Sequence, residues 1–173
     1  MGRSLLMGCG RDRRKQIFPE GCPEWTGELT TMDFDPNCGA DILWDMENRP
    51  LPFEDGTFDE IAAYNSMEHW GRQGDFRGWF AEMNEYWRIL KPFGLMGVMV
   101  PIGADALADP GHTRFFDANY FGFCCKDFYE QNMKQGTCFT DYRWLVKHWW
   151  EMKFCQNDGE HHLCVLMRKV PDA

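Results

Sequence analysis

The sequence predicts an α/β fold with a mostly parallel sheet, and three observations support this prediction. Short apolar runs of strand length alternate with helices or long loops, as in βαβ units. One long amphipathic helix separates the fourth run from the fifth. The last two runs flank Asn157-Asp158-Gly159, a turn sequence typical of an antiparallel hairpin. We therefore expect one domain over residues 1–173, with helices on both faces of the sheet and an antiparallel C-terminal hairpin.

The first predicted strand ends in Gly8-Cys9-Gly10. Two glycines one residue apart indicate a tight turn at which backbone amides can approach a ligand. The same pair also occurs in ordinary turns, so the pattern is weak evidence by itself. The segment Arg11–Gly27 carries two prolines and two glycines, which favours a short helix or turn followed by a loop.

The next three predicted strands all end in polar residues. They cover residues 28–32, 40–44 and 58–64. Because parallel strands share one carboxyl edge, residues that follow them are expected to meet at one ligand site. These strand-end residues are Asp33, Asp45 and the segment Asn65–His69.

The second half of the chain continues the pattern. Apolar residues recur every three or four positions from Phe76 to Leu90, which predicts a helix, and residues 95–100 form a buried strand. A loop is expected over Ile102–Phe116. Asp117 is the predicted N-cap of a helix that reaches Tyr129. The hairpin strands are predicted within residues 147–155 and 161–168.

Composition narrows the classes of function. Apolar residues make up 44% of the chain, which excludes a disordered protein. The net charge of −9 makes nucleic acid an unlikely partner. A basic run remains at Arg11, Arg13, Arg14 and Lys15, and it is interpreted as a solvated helix face, with a local basic patch left open.

The sequence shows no signal peptide and no membrane-spanning apolar stretch, so we expect a soluble, cytoplasmic protein. The eight cysteines are expected to be free thiols. Cys124-Cys125 and the group His161, His162 and Cys164 lack an accompanying CxxC pair, and no metal site is predicted from them.

Asp33 lies about 25 residues after Gly8, the distance at which a carboxylate meets ribose hydroxyls in nucleotide-binding βαβ units. This spacing predicts a ribose-bearing cofactor. A dinucleotide is disfavoured because position 13, where its fingerprint needs glycine, is Arg13, and a Walker loop is absent.

Taken in order, several blocks resemble one family, the small Rossmann-like S-adenosylmethionine-dependent methyltransferases of the type 11 group. The resemblance covers residues 4–101 and is specific because the blocks keep their order. The matching blocks are Leu5–Gly10, Met32–Pro36, Ala40–Asp45, Leu51–Ile61, Ser66–His69 and Glu85–Gly94.

The resemblance implies that S-adenosyl-L-methionine is the cofactor, and it implies roles for single residues. The turn from Met7 through Gly8 and Cys9 to Gly10 would pass under the methionine part. Asp33 would accept from both ribose hydroxyls, and Phe34 would lie against the adenine. The remaining implied contacts come from Asp45 and Met46 to the adenine, and from Asn65 and Ser66 to the methionine part.

The sequence also departs from the family pattern. The chain starts at the first strand, so the usual N-terminal lid helix is expected to be absent. Asp12 stands at the third glycine-like position of the first motif, and Phe93 replaces a usual glycine before Gly94. These departures bear on the tightness of cofactor binding.

The candidate catalytic residues are Glu68, His69 and His112, the titratable residues expected to face the methyl group. For the two histidines simpler interpretations stay open: His69 can pack against Trp70, and His112 can bond the backbone of its loop. A small-molecule acceptor is favoured, a protein or glycan acceptor and a homo-oligomer are left open, and a membrane role is not expected. The alternative function is a catalytically inactive, methyltransferase-like binding or scaffold module.

Overall fold

The computed structural model describes residues 2–18 and 21–172. In these two ranges, seven strands form one sheet in the order β3-β2-β1-β4-β5-β7-β6. The strands are β1 (Arg3–Met7), β2 (Glu28–Asp33), β3 (Ile42–Leu43), β4 (Phe58–Tyr64), β5 (Leu90–Pro101), β6 (Trp150–Asn157) and β7 (His162–Lys169).

Strands β1 to β5 run parallel to one another, and β7 runs antiparallel to both β5 and β6. In the register, Met7 lies beside Met32 on one side and Ala63 on the other, while Tyr64 lies beside Met99. The carboxyl ends of the parallel strands therefore share one edge. The predicted fold class, a mostly parallel sheet with an antiparallel C-terminal hairpin, is confirmed.

Four α-helices accompany the described strands: α1 (Phe76–Ile89), α2 (Gly103–Ala108), α3 (Ala118–Gly122) and α4 (Lys126–Gln135). Helix α1 begins where the side chain of Asp75 accepts a hydrogen bond from the Gly78 amide at 2.9 Å. Its apolar face, which includes Trp79, Phe80 and Met83, packs into the main core with Leu5, Ile61 and Val98 of the sheet.

On the face of the sheet opposite to α1, the structure differs from the sequence prediction, which placed helices on both faces. Its apolar cluster contains strand residues and residues of irregular segments, among them Ile17 and Trp25, and no described helical residue. The basic run is not a solvated helix face either. Lys15 is buried and donates to Glu60 at 2.8 Å and to the Glu24 carbonyl at 2.9 Å, so its charge ties this segment to β4.

Two segments after β5 also differ from the sequence prediction. The expected loop Ile102–Phe116 contains the short helix α2. The single helix expected after Asp117 is divided into α3 and α4, although Asp117 does cap α3 by accepting from two backbone amides. The division falls at Cys124 and Cys125, because Cys125 forms an isolated bridge with Trp150 of β6 and the Trp150 amide donates to the Cys124 carbonyl.

All eight cysteines are free thiols, as the sequence predicts. Within residues 2–18 and 21–172 no helix has the length and apolar character needed to cross a bilayer.

Candidate functional site

The site lies where the strand order reverses, between β1 and β4, the usual ligand position of an open α/β sheet. Gly8 follows β1 with a φ of 59°, and a Cβ at this position would overlap the Cβ of Ser66. Ser66, which follows β4, is buried and donates from its hydroxyl to the Met7 carbonyl at 3.3 Å. Only glycine therefore lets the two strand ends pack so closely.

Asn65 joins β4 to this turn in the left-handed conformation, with a φ of 47°. Its amide donates to the Met99 carbonyl at 2.8 Å, which holds the backbone to β5. The residue itself is exposed. Asparagine tolerates this conformation better than other non-glycine residues, which suits it to the sharp turn between β4 and Ser66.

Asp33 ends β2 and is buried, and its carboxylate orders the turn after β1. One oxygen accepts from the Gly10 amide at 2.8 Å and the other from the Asp35 amide at 2.9 Å. A carboxylate has about four acceptor positions, so two remain for a ligand. The Cys9 and Cys38 thiols lie beside the carboxylate, and burial raises the pKa of Cys9 to about 11, which keeps that thiol neutral.

Arg13 connects the turn after β1 to the turn after β2. Its guanidinium donates to the carbonyls of Cys9 and Gly10 from one nitrogen and to those of Cys38 and Gly39 from the other, at 2.5 to 3.3 Å. The side chain thus holds the two turns on either side of Asp33 together. In the sequence, Arg13 stands out only as part of a basic run and as the residue that departs from the dinucleotide fingerprint.

A cavity of about 270 Å³ opens beside these turns. Phe34, which is 69% exposed, provides an apolar wall, and buried Met46 provides another. Six residues line this cavity: Phe34, Asp45, Met46, Glu47, His69 and Trp70. Trp70 also reaches Gly8, because a Cβ on Gly8 would lie 3.2 Å from its ring. Trp70 therefore borders both the cavity and the glycine turn.

The three candidate catalytic residues lie together, and one of them, His69, lines this cavity. Glu68 and His69 belong to a short 3-10 helix, Met67–His69, which directly follows the turn after β4. His112 approaches from the loop after α2, and its ring lies 4.7 Å from that of His69 between centroids. Burial raises the pKa of Glu68 to about 7, although nearby His112 acts in the opposite direction.

Behind the cavity a buried polar network fixes the 3-10 helix to α1. Its centre is the Glu82 carboxylate, which accepts from Trp70 Nε1 at 2.9 Å, from the Tyr86 hydroxyl at 2.9 Å and from Arg114 at 2.8 and 3.1 Å. Arg114 also donates to the Met67 carbonyl at 3.0 Å. The network therefore sets the position of the segment that carries Glu68 and His69.

The structure brings the predicted site residues into three adjoining groups. Gly8 meets Ser66 beside Met7, Gly10 meets Asp33 beside Cys9, and the cavity unites Phe34, Asp45, Met46 and His69. Sequence reasoning missed Arg13, Glu47, Glu82 and Arg114. Glu82 had a detectable signal, since it is an acid at a position of the helix pattern that faces the core.

No family model and no curated protein matches the chain. Solved structures do match. An S-adenosylmethionine-dependent methyltransferase from Archaeoglobus fulgidus is 14% identical, with a TM-score of 0.59 over 97% of this chain and 86% of that one. The N-methyltransferase NodS from Bradyrhizobium japonicum WM9 is 14% identical, with a TM-score of 0.54 over 98% and 86%.

A third match is the 4+2 cyclase SpnF, 14% identical with a TM-score of 0.56 over 99% of this chain and 75% of that one. At such identities the matches define the fold. The chain has the fold of the Rossmann-like S-adenosylmethionine-dependent methyltransferases, which confirms the resemblance noted in the sequence at the level of fold.

Proposed function

We propose that the protein is an S-adenosylmethionine-dependent methyltransferase that acts on a small-molecule acceptor. The observation that carries the proposal is the meeting of three features at the strand-order reversal: a glycine turn, a buried carboxylate at the end of β2 and a cavity that has apolar walls and three ionisable side chains. The methyltransferases among the structural neighbours support methyl transfer in general.

The residues present fit this cofactor. The Gly10 turn is open, since a Cβ there would meet nothing within 4 Å, which leaves room for the amino acid part of the ligand. Asp33 has two free acceptor positions for the ribose hydroxyls. We assign the adenine to the cavity beside Phe34, Asp45 and Met46, because an exposed aromatic ring next to buried apolar surface suits a planar base.

When bound, the cofactor supplies an activated methyl group whose leaving group is a neutral thioether. The protein therefore contributes mainly position and a shaped site. Gly8, Ser66 and Asn65 hold the turn on the amino acid side. His69 lines the cavity while Glu68 and His112 lie behind it, and we assign these three residues to the acceptor side.

The experiment that tests this function is calorimetry with S-adenosylmethionine and with its demethylated product. We expect micromolar binding of both ligands to the wild-type protein. The variant Asp33→Ala is expected to weaken binding by about tenfold to 100-fold, because a charged hydrogen-bond acceptor contributes roughly 1.5–3 kcal/mol. Asp35→Ala is the matched control, since its exposed carboxylate accepts from Asn37. Absence of heat with both ligands would contradict the proposal.

A second function, a methyltransferase-like binding or scaffold module that transfers no methyl group, is kept because a protein named as a cyclase shares this fold. Cofactor binding that persists while no methylated product forms from any acceptor offered in host extract, measured by mass spectrometry, would favour this module. A methylated product that depends on Asp33 would favour the enzyme.

A further inference from the structure

Glu68, His69 and His112 present one carboxylate and two imidazoles to a common point. One ligand-capable atom of each residue lies within 4.8 Å of the others. In a tetrahedral site with metal–ligand bonds of about 2.0–2.2 Å, the ligand atoms lie about 3.3–3.6 Å apart. The Nε2 of His112 and the Oε1 of Glu68 are 3.9 Å apart, so a shift of a few tenths of an ångström brings them to this spacing.

The orientation of His112 is that of a metal ligand. Its Nδ1 lies 2.8 Å from the carbonyl of Ala106 in α2, so Nδ1 carries the proton and donates it there. Nε2 then keeps its lone pair and faces Glu68. A histidine that binds a metal almost always donates its other ring nitrogen to a carbonyl or carboxylate in this way.

One oxygen of the Glu68 carboxylate lacks a partner among the described residues, although the backbone amide of Glu68 itself bonds the carboxylate. Its side chain is 2% exposed, and Oε2 has no hydrogen-bond partner among the described residues. At 3.9 Å, His112 is too far away for a hydrogen bond. The nearest arginine, Arg114, directs its terminal nitrogens to Glu82 and to the Met67 carbonyl. A buried carboxylate oxygen without a partner is costly unless a further group binds it.

The backbone around the cluster is held in place. The amides of Thr113 and Arg114 both donate to the Glu68 carbonyl, at 2.8 and 3.2 Å, which fixes the His112 loop to the 3-10 helix. Gly111 allows the close approach of His69, since a Cβ on Gly111 would lie 3.3 Å from the Nδ1 of that ring. Two separate segments therefore position the three side chains.

We propose that Glu68, His69 and His112 form a binding site for one divalent transition-metal ion, which keeps open coordination positions toward the cavity. Two imidazoles and one carboxylate bind zinc in some catalytic sites, and the same set of ligands binds other divalent first-row metals. Magnesium and calcium prefer all-oxygen ligands, so Zn²⁺ is the ion we expect to bind most tightly among these three.

The open positions give the metal a part in the proposed reaction, and this second step rests on the methyltransferase function. His69 is exposed as well as lining the cavity, so an acceptor that approaches from solvent, outside the space assigned to the adenine, can bring an oxygen atom to the ion. A metal ion lowers the pKa of a bound hydroxyl, whose proton then passes to water. Methyl transfer forms the new O–C bond and breaks the S–C bond to leave a neutral thioether. The site therefore assigns the acceptor to the hydroxyl compounds.

Metal binding is tested without cofactor or acceptor, by titrating the metal-free protein with Zn²⁺ in a calorimeter and by recording the visible spectrum with Co²⁺. One ion per chain is expected. Glu68→Gln and His112→Gln should each weaken Zn²⁺ binding by about 100-fold or more. Changing a group that only supports a metal ligand already costs up to about 100-fold in affinity, and these two variants change the ligands themselves. His69→Gln, at an exposed position, serves as a further ligand variant with little risk to folding.

His161→Gln is the matched control, because this exposed histidine pairs with Asp105 outside the cluster. Its affinity for Zn²⁺ should equal that of the wild-type protein. The site is overturned if no ion binds with one-to-one stoichiometry, if the three ligand variants bind Zn²⁺ as tightly as the wild type, or if only His161→Gln loses binding.

The open positions are tested with acetohydroxamate, a probe with two oxygen donors. Its addition to the Co²⁺-loaded protein should change the visible bands, and an unchanged spectrum would overturn the role in acceptor binding. The failures are distinguishable. Cofactor binding without metal binding leaves the methyltransferase proposal standing and rejects the metal site, whereas metal binding without cofactor binding retains the metal site and rejects the hydroxyl acceptor.

Discussion

Arg114 donates to both carboxylate oxygens of Glu82, at 2.8 and 3.1 Å, in a part of the molecule where both side chains are buried. The pair joins the loop that carries His112 to helix α1. The net gain in stability from the two charges, compared with an apolar core, is small. Loss of Arg114, however, leaves the buried Glu82 carboxylate with the partly exposed Arg49, at 3.2 Å, as its remaining ionic partner among the described residues.

We therefore expect Arg114→Met to lower the free energy of unfolding by about 3–5 kcal/mol, measured by urea denaturation. The double variant Arg114→Met/Glu82→Gln should recover part of this loss, since the buried charge is gone. Arg168→Met is the control, because its ion pair with Glu151 is partly exposed and should matter by less than about 1 kcal/mol. An Arg114→Met protein as stable as the wild type would contradict this view of the network.

The packing of Gly8 against Ser66 predicts unequal effects for two similar substitutions. Both Gly8→Ala and Gly10→Ala place a side chain at positive φ, which costs about 1–2 kcal/mol. Gly8→Ala also forces its Cβ into Ser66, which should cost a further 1–3 kcal/mol or so, whereas Gly10→Ala meets nothing within 4 Å.

Thermal unfolding of both variants measures the difference. Adding Ser66→Gly to Gly8→Ala removes the opposing Cβ, and we expect it to restore part of the lost stability. If Gly8→Ala and Gly10→Ala proved equally stable, the close approach of β1 and β4 would not be limited by this contact.

Much of the fold can be predicted from local patterns in the sequence. The apolar run before Gly8, the three-and-four spacing of α1 and the Asn157-Asp158-Gly159 turn each depend on neighbours in sequence, so they predict β1, the helix and the hairpin. The strand-end position of Asp33 is local in the same sense. The shared edge then follows from the geometry of parallel strands.

What could not be predicted depends on contacts between distant segments. The interpretation of Arg13 and Lys15 as a helix face failed because their partners, the Gly39 carbonyl and Glu60, are 26 and 45 residues away. The break between α3 and α4 likewise arises from pairing with Trp150. Glu68 and His112 lie close together because the loop after α2 folds back onto the 3-10 helix. The spacing of residues in the sequence carries no signal for this contact.

Phe93 stands where the family resemblance places glycine, and its φ is 63°. A side chain in this conformation costs about 1–2 kcal/mol, while glycine loses roughly 0.5–1 kcal/mol of additional chain entropy on folding. The Phe93 ring is 64% exposed, so little burial is lost on its removal. We expect Phe93→Gly to raise the melting temperature slightly above that of the wild-type protein. The melting temperature of Phe93→Ala should be lower than that of Phe93→Gly. A lower melting temperature for Phe93→Gly than for Phe93→Ala would refute the strain.

The environment of Glu85 predicts that the protein loses stability in acid. Burial disfavours its charge, but hydrogen bonds from Arg88 and from the Leu51 amide outweigh burial, and the pKa is lowered from 4.5. A lowered pKa in the folded state gives stability that is present above the unfolded value and is lost as the pH falls through the folded value.

Unfolding free energies measured by urea denaturation at a series of pH values below neutrality test this sign. The wild-type protein should lose more stability than Glu85→Gln as the pH falls below 4.5. Two parallel curves over this range would show that the Glu85 carboxylate is not bound as described.

The eight thiols differ in burial, and this predicts the order in which they react with a thiol reagent at neutral pH. Cys22 and Cys138 are exposed and should react first. Cys9 and Cys124 are buried, and burial raises both pKa values, that of Cys9 to about 11, so the reactive thiolate is scarce. Peptide mass spectrometry after brief labelling should find modification at the two exposed positions, and at Cys9 and Cys124 only after unfolding in urea. Labelling of Cys9 as fast as Cys138 in the native protein would mean that the turn after β1 opens readily, contrary to its hydrogen bonds with Asp33 and Arg13.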